Sequence, residues 1–139
     1  MPNVRPLNRK KYNISKRAFQ TAYNYCLQYN EWKEELQVKR DTRAGQNMSG
    51  QPVSHNGCSD PTADTAMEVA EIGHKIKKIE DAVWEAVGEE KEMYSYLLYY
   101  VTTECCTFKD MKAKGIPCER SYFYEMRRKF YSIIAKRIK

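Results

Sequence analysis

The chain reads as an all-α protein, a long N-terminal helical hairpin followed by a C-terminal helix-turn-helix. Three observations predict this. Apolar residues recur at three- and four-residue spacing in several long stretches. Helix-start signals stand ahead of those stretches at Ser15, Asp60-Pro61 and Thr107. No alternating apolar pattern runs long enough to make a strand.

Residues 1–13 form the first unit, a basic arm in which Pro2, Pro6 and the run Arg9-Lys10-Lys11 disfavour regular structure, so it is expected to be disordered. A first helix over residues 14–40 begins with Ser15 as N-cap and Ile14 as a staple against Phe19. Its apolar and aromatic stripe is Phe19, Ala22, Tyr23, Cys26, Tyr29, Trp32 and Leu36. Residues 41–60, with three Gly, a Pro and many Asn, Gln and Ser, hold little to bury and read as a flexible linker. A second helix over 61–87 carries Val69, Ile72, Ile76, Ile79, Val83 and Ala86 at alternating spacings of three and four, a coiled-coil-like seam. That seam fits either the first helix, as an antiparallel hairpin, or its own copy in a homodimer. Residues 89–139 form a three-helix helix-turn-helix module. It holds a helix to about Thr102, a short helix capped by Thr107 and Asp110, a turn at Gly115, and a last helix from Pro117-Cys118 to Ile138. Phe123, Met126, Phe130, Ile133 and Ile134 mark its inner side.

Composition bounds the function. Of 139 residues, 42% are hydrophobic and 30% charged, enough apolar material for a small core. A mean hydropathy of −0.79, and no long uncharged apolar run, predict no membrane span. Residues 1–9 lack the apolar stretch of a secretory signal, and five irregularly spaced cysteines suit a reducing compartment, so a cytoplasmic location in a bacterial host is expected. His55, Cys58, His74, Cys105, Cys106 and Cys118 do not repeat a ligand spacing, so no metal is expected. No phosphate loop, nucleophile motif or acid/base pair stands out, and neither an enzyme activity nor a cofactor is expected.

The net charge of +6 is unevenly spread. Residues 1–43 hold ten Lys/Arg against four Asp/Glu, residues 61–92 hold four against nine, and residues 111–139 hold nine against two. Two basic ends flanking an acidic middle favour a polyanionic partner at the ends.

The terminal helix has the distribution of a recognition helix. Opposite Phe123 and Phe130 lie Ser121, Tyr124, Glu125 and Arg128, with Arg120 in the first turn and Arg127 and Lys129 flanking the inner stripe. Its first half can meet base edges, while Lys136, Arg137 and Lys139 can displace counterions along the backbone. The arm offers Arg9, Lys10, Lys11 and Arg17 as minor-groove or phosphate contacts.

From Ser95 to the end, the short helix, the Gly-containing turn and the Tyr- and Arg-rich helix resemble the sigma region-4-like helix-turn-helix of small phage and prophage transcription regulators of the RinA and ArpU type. The resemblance is looser over Asn13-Ile-Ser-Lys-Arg, Glu31-Trp-Lys-Glu and Ser59-Asp-Pro-Thr. It implies sequence-specific binding to double-stranded DNA at promoters, beside the host RNA polymerase. The implied contacts are Arg120, Ser121, Tyr124, Arg127 and Arg128. One departure is visible: Gly115-Ile-Pro-Cys118 is about a residue longer than the usual tight turn. Two alternatives use the same features. One is a phage protein that binds a host protein and inhibits a nucleic-acid enzyme, and the other is a small DNA-packaging adaptor.

Overall fold

A computed structural model describes residues 14–48 and 61–138, with side chains described for 14–41 and 65–138. All regular structure among the described residues is helical, as the periodicities predict. The elements are α1 (Lys16–Leu27), α2 (Tyr29–Met48), α3 (Pro61–Val87), a 3₁₀ turn (Lys91–Met93), α4 (Tyr94–Thr102), α5 (Phe108–Ala113) and α6 (Arg120–Arg137). No described helix is long and apolar enough to cross a membrane.

The helix starts follow the sequence signals. Ser15 accepts the Ala18 amide at 3.1 Å, and Ile14 and Phe19 on either side of it are both buried. Helix α3 begins at Pro61. Thr107 and Asp110 form a reciprocal capping box at the start of α5. The end of α5 is a Schellman motif. The Ile116 amide donates to Met111 at 3.2 Å, the Gly115 amide to Lys112 at 3.0 Å, and Gly115 takes a φ of +91° that glycine adopts without strain. Ile116 and Met111, the pair that seals such a motif, are both buried.

Three expectations about segments change. The single helix over 14–40 is two helices. At Gln28 the amide turns back to Tyr25 at 3.2 Å, a tighter bond than the α-helical one, and α-helical bonding resumes when the Trp32 amide donates to Gln28. Helix α2 then runs on to Met48, so the first eight positions of the expected 41–60 linker are helical. The helix runs through Gly45, whose cost of about 1 kcal/mol relative to Ala is tolerated once the anchored part of the helix has formed. The rest of that linker, and the 1–13 arm, lie outside the described residues. The last helix starts at Arg120, with Glu119 as N-cap, two residues later than Pro117-Cys118 suggested.

The hairpin is built from α2 and α3, which pack along each other. Helix α1 packs instead on α6 and α4, and α6 also lies along α3. The α3 seam is therefore filled from within the chain: Ile72, Ile76, Ile79, Val83 and Ala86 are all buried by α2 and α6. Val69, the first residue of the seam, is the one left half-buried, so a homodimer through it would have little apolar surface to use. Polar ties fix the layers. The Tyr25 hydroxyl donates to the Lys75 carbonyl at 3.3 Å, Asn30 to the Thr102 carbonyl at 3.4 Å, and Tyr96 to the Gly115 carbonyl at 3.4 Å.

At the centre sits α6, with Phe123, Phe130 and Ile134 wholly buried and Tyr131 1% exposed. Replacing Phe130 by Ala is expected to cost about 3–5 kcal/mol in urea unfolding. Replacing the exposed capping Thr107 should cost only about 1 kcal/mol. Similar losses for the two variants would contradict the central position of α6.

Candidate nucleic-acid interface

The phase of α6 decides which side chains remain available. Its buried side takes Phe123, Met126, Arg127, Phe130, Tyr131, Ile134 and Ala135, seven of its eighteen residues. What is left is a stripe of exposed Ser121, Tyr122, Glu125 and Lys129, bordered by half-buried Tyr124, Arg128 and Ser132, with exposed Arg120 at its start and exposed Lys136 and Arg137 at its end.

Of the expected contacts, Arg120, Ser121, Tyr124 and Arg128 come together at the first half of α6, where they line one shallow cleft with Glu119 and Glu125. The Arg120 guanidinium carbon sits 5.6 Å from the centre of the Tyr124 ring, which holds the cation over the cleft. Tyr124 is itself propped by Phe108 and Phe123, at 6.4 and 6.0 Å between ring centres. Arg128 is held by Glu125 at 2.6 Å, an exposed pair worth at most about 1 kcal/mol and readily exchanged for a phosphate.

The others stand apart. Lys129 is exposed at the margin of the stripe. Lys136 lies sixteen positions beyond Arg120, about 24 Å along the helix. Arg137 is paired with Glu85 and braces the end of α6 against α3. Arg17 is exposed on α1, while Arg9, Lys10 and Lys11 lie outside the described residues.

Arg127 overturns an expectation. It is 7% exposed, with its guanidinium 5.1 Å from the Tyr131 ring centre and 5.9 Å from those of Phe19 and Tyr100. It lies four positions from both Phe123 and Tyr131, so the packed stripe takes it inward. It cannot reach a base edge.

Two cations of the same face, Lys109 and Lys112, are not among the residues read from sequence. A second cleft, adjoining the first through Arg120 and Tyr124, is lined by Thr107, Phe108, Lys109, Lys112 and Ala113 of the α5 segment. Three cations border it and no carboxylate does. The signal was present in the capping box, which fixes the phase of α5. Phe108 and Met111 turn inward and leave Lys109 and Lys112 outward. The nearby acid, Asp110, is turned into the cap, where the Thr107 amide and hydroxyl both reach it at 3.0 Å.

The turn between α5 and α6 spans 114–119, six residues, longer than the Gly115–Cys118 segment suggested. Helix α6 also docks chiefly on α1 and α3, reaching α4 mainly through Tyr100, whose ring is 4.8 Å from that of Phe123. Among the described residues no cluster of His, Cys, Asp and Glu is placed to hold a metal ion. Burial pushes the Cys26 thiol far above its usual range, which suits a core residue. No family model, no characterised protein and no solved structure matches this chain.

The hydrogen bonds from the Thr107 amide and hydroxyl hold the Asp110 carboxyl below its usual value. A depressed acid stabilises the fold fully above its unfolded pKa of about 3.9, and the effect is lost as pH falls through the lower folded value. Protection of the amides over residues 108–113, taken relative to their intrinsic exchange rates, is therefore expected to hold down to about pH 4 and to fall below it. In Asp110→Asn this acid-side loss should disappear. Its persistence in that variant would contradict the cap.

Proposed function

We propose that the chain binds duplex DNA through the face shared by α5 and the first half of α6, and acts as a transcription regulator of phage or prophage origin. The observation that carries the reading is the acid-free cleft of Lys109, Lys112 and Arg120, continuous with Ser121, Tyr124 and Arg128 on a helix packed from behind. Duplex DNA presents phosphates and base edges together, and a surface for it needs both cations and hydrogen-bonding groups on one rigid element. From Arg120 to Arg128 is eight residues, about 12 Å of helix, the width of a major groove. Lys109, Lys112 and Arg120 would then hold phosphates, while Ser121, Tyr124 and Arg128 face base edges. The phage assignment rests on the resemblance of the segment from Ser95 onward.

One observation favours a second reading, a protein that binds a host nucleic-acid enzyme. Trp84 on α3 is 47% exposed, with the Lys91 ammonium 3.8 Å above its ring and Tyr94 edge-on at 5.2 Å. An exposed, pre-stacked Trp is the kind of anchor that dominates protein interfaces. The cationic clefts lie on other elements, so the two readings separate by mutation.

Fluorescence anisotropy on a pool of duplexes tests the reading. Affinity should fall steeply with salt, and Lys112→Ala or Arg120→Ala should each lower the salt slope by about one and weaken all duplexes alike. Arg128→Ala should change the ranking of sequences by about 1–3 kcal/mol. No binding at low salt, or variants at Lys112 and Arg120 that bind like wild type, would overturn it. Trp84→Ala should leave binding unchanged.

A further inference from the structure

The burial of Arg127 has a second consequence, apart from its loss as a base-edge contact. Its Nε is the one buried side-chain polar atom among the described residues with no hydrogen-bond partner. The ion pairs seen there join Lys39 to Glu68, Arg128 to Glu125 and Arg137 to Glu85, and Arg127 joins none. A charge taken out of water without a counter-ion is costly. The rings of Phe19, Tyr100 and Tyr131 recover part of that cost by stacking beside the cation. Rings do not satisfy a guanidinium, however, whose five N–H donors point outward in its plane.

The neighbours add donors. Tyr23 of α1 and Tyr100 of α4 are half-buried, and both phenols lie within electrostatic reach of Arg127. Burial raises both, and the Arg127 charge draws both back. The Tyr100 ring lies 5.9 Å from the Arg127 guanidinium, and the Tyr23 ring lies 6.5 Å from that of Tyr131, so a guanidinium and two phenols share one region beside the loop from α4 to α5. Cys105 and Glu104 of that loop both lie within electrostatic reach of Tyr23, and none of the ion pairs among the described residues joins Arg127 to an acid.

We propose that Arg127, Tyr23 and Tyr100 form an oxyanion site that takes a phosphate group. A phosphate supplies several acceptor oxygens to a planar guanidinium and to neighbouring phenols, and neutralises the buried charge. The group can come from a small phosphorylated molecule or from a nucleic-acid backbone. The site does not rest on the DNA reading: Arg127 lies seven positions beyond Arg120, about 10 Å along the helix, and lines neither cleft.

Inorganic phosphate titrated into the full chain without DNA, at constant ionic strength against chloride, tests the site. The expected result is saturable shifts of the Arg127 Nε–H and of amides around Tyr23 and Tyr100, with a Tm that rises with phosphate. Phosphate also stabilises proteins generally, so the comparison is with variants at equal concentration. Arg127→Met should lose the saturable shifts and be at least as stable as wild type when phosphate is absent. Tyr100→Phe should bind about fivefold more weakly, and Glu104→Gln should bind more tightly. Should Arg127→Met not fold, Tyr23→Phe with Tyr100→Phe, which keeps the cation, gives the same reading through weakened shifts at Arg127. An unchanged response in these variants, or shifts confined to Lys109, Lys112 and Arg120, would overturn the proposal. The source is read separately. A salt slope for DNA that drops by about one in Arg127→Met assigns the occupant to a backbone phosphate, and an unchanged slope assigns it to a free phosphorylated molecule.

Discussion

Everything in this fold leans on the burial of one face of α6. Phe123, Phe130, Tyr131 and Ile134 fill the space between α1, α3 and α4, and Phe19 meets Tyr131 edge-on at 5.0 Å between ring centres. Side chains of this size contribute roughly 3–5 kcal/mol each when truncated, far more than any surface ion pair. The packing therefore fixes the rotation of α6 about its axis, and that rotation decides which residues meet solvent. A cationic helix becomes a cationic face only through what its other side buries.

The same constraint reaches α5. Its capping box sets the start, its Schellman motif sets the end, and Tyr96 ties the turn back to α4 through the Gly115 carbonyl. With six residues in all, α5 has little helical stability of its own, so these caps hold its two lysines opposite Arg120. Phe108 then joins α5 to α6 by touching Phe123 at 5.6 Å and Tyr124 at 6.4 Å between ring centres. The clefts on either side of Arg120 follow from two caps and one phenylalanine. The six-residue turn sets this arrangement apart from the tight helix-turn-helix that the terminal segment resembles.

Local signals in the sequence carried far. Ser15, Pro61 and Thr107 each mark a helix start, and Gly88 and Gly115 take the positive φ angles that their places after α3 and α5 require. These depend on backbone geometry within a few residues, so a single chain reveals them. The break at Gln28 left no such mark, because no Gly or Pro stands there and the aromatic stripe continues across it. The partner of the Ile72–Ala86 seam was equally hidden, since periodicity shows that a face is buried and not by what. Arg127 shows the limit most clearly. Its place beside the stripe was legible, but three aromatic rings from three different helices drew it inward. Lys109 and Lys112 were readable once α5 had a phase, and gained meaning only when Arg120 was found across the cleft from them.

The claim at the centre is that α6 presents a polar face while its opposite face is locked in the core. Chemical-shift mapping of a bound duplex onto the backbone amides tests it most directly. The expected footprint covers Lys109, Lys112, Arg120, Ser121, Tyr124 and Arg128, with Phe130 and Ile134 undisturbed. A footprint on Trp84 and Lys91, or one that spreads through the buried residues of α6, would contradict it.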